Sequence, residues 1–322
     1  MIADWQRDGW AEGAVKAPKT EQRNPRTRGL DAKSTLQILR ILNREDQQVA
    51  LAVRRELPQI ARAVDAIVKA LRAGGRLLYV GAGTSGRLAV LDAAECPPTY
   101  GVSSKLVQAF IAGGNKALRG AVEGAEDSAW NGARDLAHAG VTRRDVVVGI
   151  AASGTTPYVL GALKWANQRG CVTVGVTSNR NSPLARAVKI AIRPETGQEA
   201  IYGSTRMKAG TSQKMVLNLL STTTMVRLGR VYDNWMIYVA LTNQKLLRRG
   251  ERILTEAAAV SASTAAHALR QTRHDLPAAL VMLKTGTSPN VARKSLATAG
   301  GNIRRAIELN GKERPSTRGK GK

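Results

Sequence analysis

The sequence predicts an α/β protein. The expected fold is a three-layer αβα sandwich on a five-stranded parallel sheet, with N-terminal helices before it and a small C-terminal helical domain after it. Three observations predict this. Five short apolar runs alternate with helical patterns between residues 76 and 192, the arrangement that forms a parallel sheet covered by helices on both faces. Two of those runs end in loops of Gly, Ser and Thr that lead into helices, at strand carboxyl ends where open α/β sheets bind ligands. Hydrophobic residues make up 43% of the chain but aromatics only 4%, so the core is expected to be aliphatic.

The elements follow in order. Residues 1–33 are polar with few periodic apolar positions and read as an extended arm. Ser34 suits the N-cap of a helix bearing Leu36, Ile38, Leu39, Ile41 and Leu42. A second helix is expected over residues 47–73, with Ile60, Val64, Ile67 and Leu71 at helical spacing, Pro58 breaking or kinking it, and Gly74-Gly75 stopping it. Strands are expected at 76–80, 106–112, 145–151, 171–177 and, more weakly, 188–192. Between them lie helical patterns from Leu88 onward, from Gly114 through Ala137, and up to Gln168. Residues 206–247 read as one long helix, and short helices follow at 264–271, 276–283, 288–297 and 302–309, punctuated by Gly286 and Gly300-Gly301. The domain division is then 1–48, arm and helix; 49–249, sheet domain; 250–310, helical domain; and 311–322, a basic, disordered tail.

Composition narrows the function. No apolar run approaches the roughly 18 residues of a membrane span, and the N-terminus has no signal-peptide pattern. Two cysteines, Cys96 and Cys171, make neither a disulfide framework nor a four-cysteine metal site. His138, His267 and His274 lack metal-ligand spacing. A cytoplasmic protein is expected. The net charge of +25 raises nucleic acid as a partner. The basic residues, however, are spread along the whole chain without interleaved aromatics for base stacking. Solvated surface charge that steers an anionic metabolite is the expectation, with no nucleic acid and no membrane partner.

The chemistry-bearing residues fall in four places. Gly81-Ala82-Gly83-Thr84-Ser85-Gly86-Arg87 follows a strand and opens a helix. Its glycines admit an anion to the backbone N–H groups, and Thr84 and Ser85 add hydroxyl donors. It lacks the Lys-Ser/Thr ending of a nucleotide loop and dinucleotide spacing, so it suits a single phosphate. Ser153-Gly154-Thr155-Thr156 repeats the theme after another strand; a bland alternative for both loops is a tight turn with a hydroxyl cap, Thr156 before Pro157 above all. Glu95 precedes Cys96-Pro97-Pro98, so irregular backbone outside a helix is expected there, while Glu126 lies in an acidic run with Glu123 and Asp127. Two carboxylates in different environments can split acid and base roles. Finally, Ser204, Arg206 and Lys208 lie in a hydroxyl-rich turn at a helix start, where cations oppose the helix dipole and an anion site is the natural reading.

These residues carry a resemblance. Thr20-Glu21-Gln22-Arg23-Asn24-Pro25, the runs 81–101, 113–128, 145–160 and 203–227, and above all Asp92-Ala93-Ala94-Glu95-Cys96-Pro97-Pro98-Thr99-Tyr100-Gly101 resemble the N-acetylmuramic acid 6-phosphate etherases. These belong to the sugar isomerase (SIS) superfamily and are related to the animal glucokinase regulatory protein. The resemblance implies a SIS fold and cleavage of the D-lactyl ether of N-acetylmuramate 6-phosphate without a cofactor. It implies Glu95 as the main acid–base residue, Glu126 as the second, and a homodimer. Ser85, Ser153, Thr155 and Thr156, with Thr84 adjacent, are the expected phosphate ligands. Arg206 or Lys208 is expected to hold the lactyl carboxylate or to pack at a subunit interface. One stretch departs from the family pattern: Asp233 and Tyr238 stand where a Gly and an Asp are usual. The alternatives are a sugar-phosphate isomerase and a non-catalytic sugar-phosphate-binding regulator.

Overall fold

The computed structural model describes residues 18–311; most of the expected N-terminal arm and nearly all of the basic tail lie outside them. Ser34 caps α1 (Thr35–Arg55) through a reciprocal box with Gln37. Nothing between residues 43 and 47 ends a helix, so α1 runs on to Arg55, well past the expected boundary. The chain breaks at Glu56, and Pro58 lies in the first turn of α2 (Leu57–Arg72), where its missing N–H is no loss. Ile60, Val64, Ile67 and Leu71 are buried along α2 as their spacing requires, and Gly74 leaves the helix at φ 78°.

The strands are β1 (Leu77–Gly81), β2 (Val107–Ile111), β3 (Val146–Ile150), β4 (Val172–Val176) and β5 (Ile190–Ile192), in sheet order β2-β1-β3-β4-β5 and all parallel. All five were legible in the sequence to within two residues. β1 and β3 are buried along their whole length, as strands covered on both faces are. Leu78 and Val80 point toward one helical layer and join a cluster with Val159 and Leu163. Tyr79 points the other way, and its hydroxyl donates to Asp92 at 3.0 Å.

α3 (Gly83–Tyr100) follows β1. It corrects the expectation that Glu95 stands outside a helix, since the helix continues through Pro97 and Pro98. The two prolines offer no N–H to the carbonyls of Ala93 and Ala94, but burial of Ala93 and Cys96 holds the helical path. The N–H of Gly101 donates to the Pro97 carbonyl, and Gly101 ends the helix at φ 61°. The helical stretch expected from Gly114 to Ala137 divides into α4 (Lys116–Arg119), a 3₁₀ turn Ala125–Asp127 and α5 (Ala129–His138). Gly120 is extended and Gly124 is left-handed at φ 67°, which interrupts the helix. α6 (Pro157–Gln168) and α7 (Pro183–Ala187) complete the crossovers.

The long helix expected over 206–247 is α8 (Lys208–Arg227) alone. It stops in a Schellman motif: Gly229 at φ 79° donates to Val226, and Arg230 donates to Met225. Five helices follow: α9 (Gln244–Ala258), α10 (Ala262–Gln271), α11 (Leu276–Thr285), α12 (Pro289–Thr298) and α13 (Ile303–Leu309). Asn243, Ser261, Asp275, Ser288 and Asn302 each cap one of them. α11 is almost wholly buried and forms the centre of this cluster.

The described chain forms two compact units. One comprises residues 18–94 and 104–223 and holds the sheet; the other comprises 95–103 and 224–311 and holds the terminal helices. Within the second, Asp233 is left-handed at φ 53°, which explains why glycine suits that position; Asp is among the few other residues that tolerate it. Tyr238 donates to the Gly301 carbonyl, and its ring lies 4.8 Å from the Arg230 guanidinium carbon, so the helical unit absorbs both departures.

α5 and α6 cross at glycines. A Cβ on Gly161 would lie 2.0 Å from the Ala129 carbonyl oxygen, and one on Gly132 would lie 1.9 Å from that of Tyr158. Both neighbours are backbone. Gly161→Ala is therefore expected to destabilise the chain by about 1–3 kcal/mol or more, read as a lower urea midpoint. An unchanged midpoint would contradict this crossing.

Candidate active site

The two hydroxyl loops leave adjacent strands. Gly81 of β1 is paired with Ile150 of β3, and β1 has β2 on its other side. The first connection from β1 thus runs to one side of the sheet and the later ones run to the other. This is the topological switch point, where strand ends open a crevice.

The first loop is short, with only Ala82 between β1 and α3. Gly83 is left-handed at φ 52°. A Cβ on Gly86 would strike Ile111 at 2.5 Å and one on Gly81 would strike Gly86 N at 2.7 Å, so these glycines allow the first turn of α3 to sit directly on the strand ends. Thr84 is half-buried beside Gly210 of α8. Ser85 is buried, and its hydroxyl donates to Gln213 Oε1 at 2.9 Å. Arg87 donates to the carbonyls of Leu118 and Gly120 and so fixes the neighbouring connection.

In the second loop, Ser153 Oγ and Thr155 Oγ1 lie 2.8 Å apart, and the Thr155 N–H donates to Ser153 Oγ. Gly154 is left-handed at φ 73°, and a Cβ there would strike Ser182 at 2.4 Å. Thr156 makes no side-chain capping bond, so the cap alternative does not consume its hydroxyl. Asn179, which the sequence reading passed over, donates to the carbonyls of Ala152 and Ser153 and to Thr20, and accepts from Lys19 N. A cavity of about 260 Å³ opens beside this loop, lined among others by Ser153, Thr155, Lys19, Arg180 and Glu195. Glu195 pairs with Lys19 at 3.7 Å and with Arg180 at 3.4 Å.

The third cluster binds anions, but they are the protein's own. Lys208 is 1% exposed and its Nζ donates to Glu45 Oε2 at 2.7 Å. The backbone N–H groups of Lys208 and Ala209 donate to the Glu199 carboxylate at 3.0 and 2.9 Å. The start of α8 is thus occupied internally, and Lys208 is withdrawn from any ligand. Arg206 is exposed, with no ion pair among the described residues, and Ser204 is half-buried, its N–H donating to the Ile201 carbonyl. Glu45 had a sequence signal that went unread: it lies in register with Val49, Ala52 and Val53 on the buried stripe of α1.

Glu95 and Glu126 are both exposed, Glu95 on α3 and Glu126 in the 3₁₀ turn after Gly124. They belong to different compact units. Three residues before Glu95, buried Asp92 accepts from Tyr79, Asn218 and Ser221. Burial pushes the Asp92 carboxyl above its ordinary range despite these donors. Among the described residues no group of His, Cys, Asp and Glu is placed to hold a metal ion, and no helix is long and apolar enough to cross a membrane.

Residues 59–167 match the glucokinase regulatory protein N-terminal SIS domain, and residues 130–223 match the SIS domain. The N-acetylmuramic acid 6-phosphate etherase of Vibrio atlanticus (strain LGP32) is 50% identical over 291 residues, covering 90% of this chain and 95% of that protein. Its namesake from Yersinia pseudotuberculosis serotype O:1b (strain IP 31758) is 52% identical over 288 residues, covering 89% and 98%. The chain belongs to the N-acetylmuramic acid 6-phosphate etherase family. A phosphoheptose isomerase from Francisella tularensis aligns with a TM-score of 0.45 at 16% identity, covering 60% of this chain and all of that one.

The buried carboxylates set an acid limit on stability. Bonds from Arg26, with Lys208 and Asn24 assisting, hold Glu45 down to about 2. Asp145 is also lowered: burial raises it, but bonds from Arg76 and Thr142 outweigh that. A carboxyl with a depressed folded-state pKa stabilises fully above its unfolded value and loses that contribution as pH falls toward the folded value. Between pH 4.5 and about 2, Glu45 alone is expected to withdraw about 3 kcal/mol. Burial raises Glu199 above its ordinary range, which gives an opposite, favourable slope that ends near pH 4.5. Urea midpoints measured from pH 7 to 2.5 should fall steeply below 4.5, and Glu45→Gln should flatten that fall. A wild-type profile that is flat there would refute the assignment.

Proposed function

We propose that this chain cleaves the D-lactyl ether of N-acetylmuramic acid 6-phosphate, giving N-acetylglucosamine 6-phosphate and D-lactate. The observation that carries the reading is roughly half-identity to named etherases over nine-tenths of the chain, with both motif glutamates retained. The chemistry accounts for the residues. An alkoxide leaves a simple ether poorly. Once the sugar ring opens to its aldehyde, the C2 proton becomes acidic. A base removes it, the C3–O bond breaks, and an acid protonates the departing lactate. Water then adds across the resulting α,β-unsaturated aldehyde, with hydroxyl to C3 and proton to C2. The net change is the consumption of one water.

In this reading Glu95 protonates the leaving lactate and activates the incoming water, and Glu126 handles the C2 proton. The 6-phosphate is gripped by Ser85, Ser153, Thr155 and Thr156, with Thr84 adjacent. Two features support this placement: the loops leave paired strands, and the Thr156 hydroxyl is not used as a cap. Arg206 is the remaining candidate for the lactyl carboxylate, since Lys208 is paired inside the protein. A homodimer fits the exposed leucines Leu36 and Leu39 on α1. A cytoplasmic setting fits two free, buried thiols.

Incubation with N-acetylmuramic acid 6-phosphate is expected to release D-lactate, with Glu95→Ala slower by about 10²-fold or more. The same preparation should have twice the 34.4 kDa chain mass by light scattering. Absence of D-lactate with intact substrate binding would favour a regulator, and a ketose product without lactate would favour an isomerase.

A further inference from the structure

Buried polar groups almost always find partners, and Gln213 finds only half of its own. It lies on α8, is 1% exposed, and its Oε1 accepts the Ser85 hydroxyl. Its Nε2 has no hydrogen-bond partner among the described residues. We propose that Gln213 is a positioning residue that sets which way the Ser85 hydroxyl donates, and so whether Ser85 can hold a phosphate.

A serine hydroxyl has one proton and two lone pairs. With that proton given to Gln213, Ser85 turns only lone pairs toward an incoming anion. A phosphate monoester dianion offers acceptors alone, so the two oxygens repel. Turning the Gln213 amide by half a revolution about its last torsion changes this. That torsion is broad and nearly two-fold, and the amide occupies almost the same volume in either orientation. Nε2 then donates to the Ser85 oxygen, and the Ser85 proton is freed for a phosphate oxygen. One of the two unpaired N–H groups of Nε2 thereby gains the Ser85 oxygen as acceptor, and the carbonyl oxygen that takes the former place of Nε2 is the more readily tolerated orphan there. The loop cannot easily use another device. Gly81 and Gly86 are in backbone contact with no room for a Cβ, so the orienting group must come from the neighbouring helix, and Gln213 is the side chain that reaches Ser85.

The inference rests on the reading that Ser85 grips the 6-phosphate, and its test separates the two. Full-length wild type, Ser85→Ala, Gln213→Glu and Gln213→Leu are compared from pH 5 to 8. The readouts are KM and kcat for D-lactate release and, without turnover, the Kd of inorganic phosphate by calorimetry, with thermal unfolding recorded alongside. Ser85→Ala should raise KM and phosphate Kd by about 10- to 100-fold. A glutamate at 213 accepts only while ionised, so Gln213→Glu should match Ser85→Ala at pH 8. Its ratio to wild type should fall toward one as the carboxyl protonates and can itself donate. Gln213→Leu, which can neither orient nor sequester the hydroxyl, should raise both constants by about 3- to 10-fold.

A purely structural Gln213 would lower thermal stability without any pH dependence of the KM or Kd ratio, and that result overturns the inference. So does a wild-type KM and Kd from Gln213→Leu, the arm that stands if Gln213→Glu does not fold. Ser85→Ala with unchanged KM and Kd removes the Ser85 phosphate contact, and the Gln213 role with it. Unchanged Gln213 variants beside an impaired Ser85→Ala refute Gln213 alone. The expected pattern in phosphate Kd without D-lactate release supports the Gln213 role while refuting the etherase reading.

Discussion

The contact between Glu45 and Lys208 is the constraint from which much of the sheet unit follows. Glu45 arrives on α1, Lys208 opens α8, and the same carboxylate takes donors from Asn24 and Arg26. Glu199 holds the first N–H groups of α8. A buried ion pair repays its desolvation only when further hydrogen bonds satisfy its members, and here the N-terminal segment supplies them to the carboxylate. That segment is therefore part of the core bonding scheme although it forms no strand. Once α8 is fixed, Gln213 reaches Ser85, and Asn218 and Ser221 reach Asp92. The first loop and the helix that carries the Glu95 motif are thus registered from α8 as well as from β1.

The second constraint is backbone closeness. At the switch point a helix must start almost on top of the strand that precedes it, so that N–H groups face the crevice. Gly81 and Gly86 allow this in the first loop by contact with each other and with Ile111. In the second, Gly154 lies against Ser182 and Thr177, and its carbonyl accepts from Leu184. Asn179 then ties that loop to Thr20 and Lys19. Both loops are braced by side chains from distant sequence, which suits groups that must keep their geometry when an anion arrives.

What was legible in the sequence was whatever is decided locally. The strands were found because buried parallel strands are continuous aliphatic runs, and the Ser34 cap was found because a serine before a helix acts through its nearest neighbours. The errors have tertiary causes. Pro97 and Pro98 obey no local helix rule, yet the buried side of α3 keeps them helical. The end of α8 turned on Gly229, one glycine in a long apolar pattern, whose Cβ would strike Asn302 far along the chain. Lys208 read as a ligand because its partner Glu45 is 163 residues away. Asn179 and Gln213 gave no signal at all: each is an ordinary polar residue until the fold places it beside a loop.

The division of labour among charges follows from these placements. A chain of net charge +25 attracts a substrate that bears a phosphate and a carboxylate from a distance. The proposed phosphate ligands are nevertheless neutral hydroxyls and backbone donors. Lys208 is neutralised by Glu45, and Lys19 and Arg180 are held by Glu195. Close cations would bind the phosphate more tightly, but they would also favour the ionised form of any nearby carboxyl. The proposed reaction needs a proton delivered to the departing lactate. Attraction by a diffuse surface charge and short-range grip by neutral donors satisfy both demands, because surface cations more than about 8 Å from the reacting groups are largely screened in physiological salt and neutral donors place no further charge beside them.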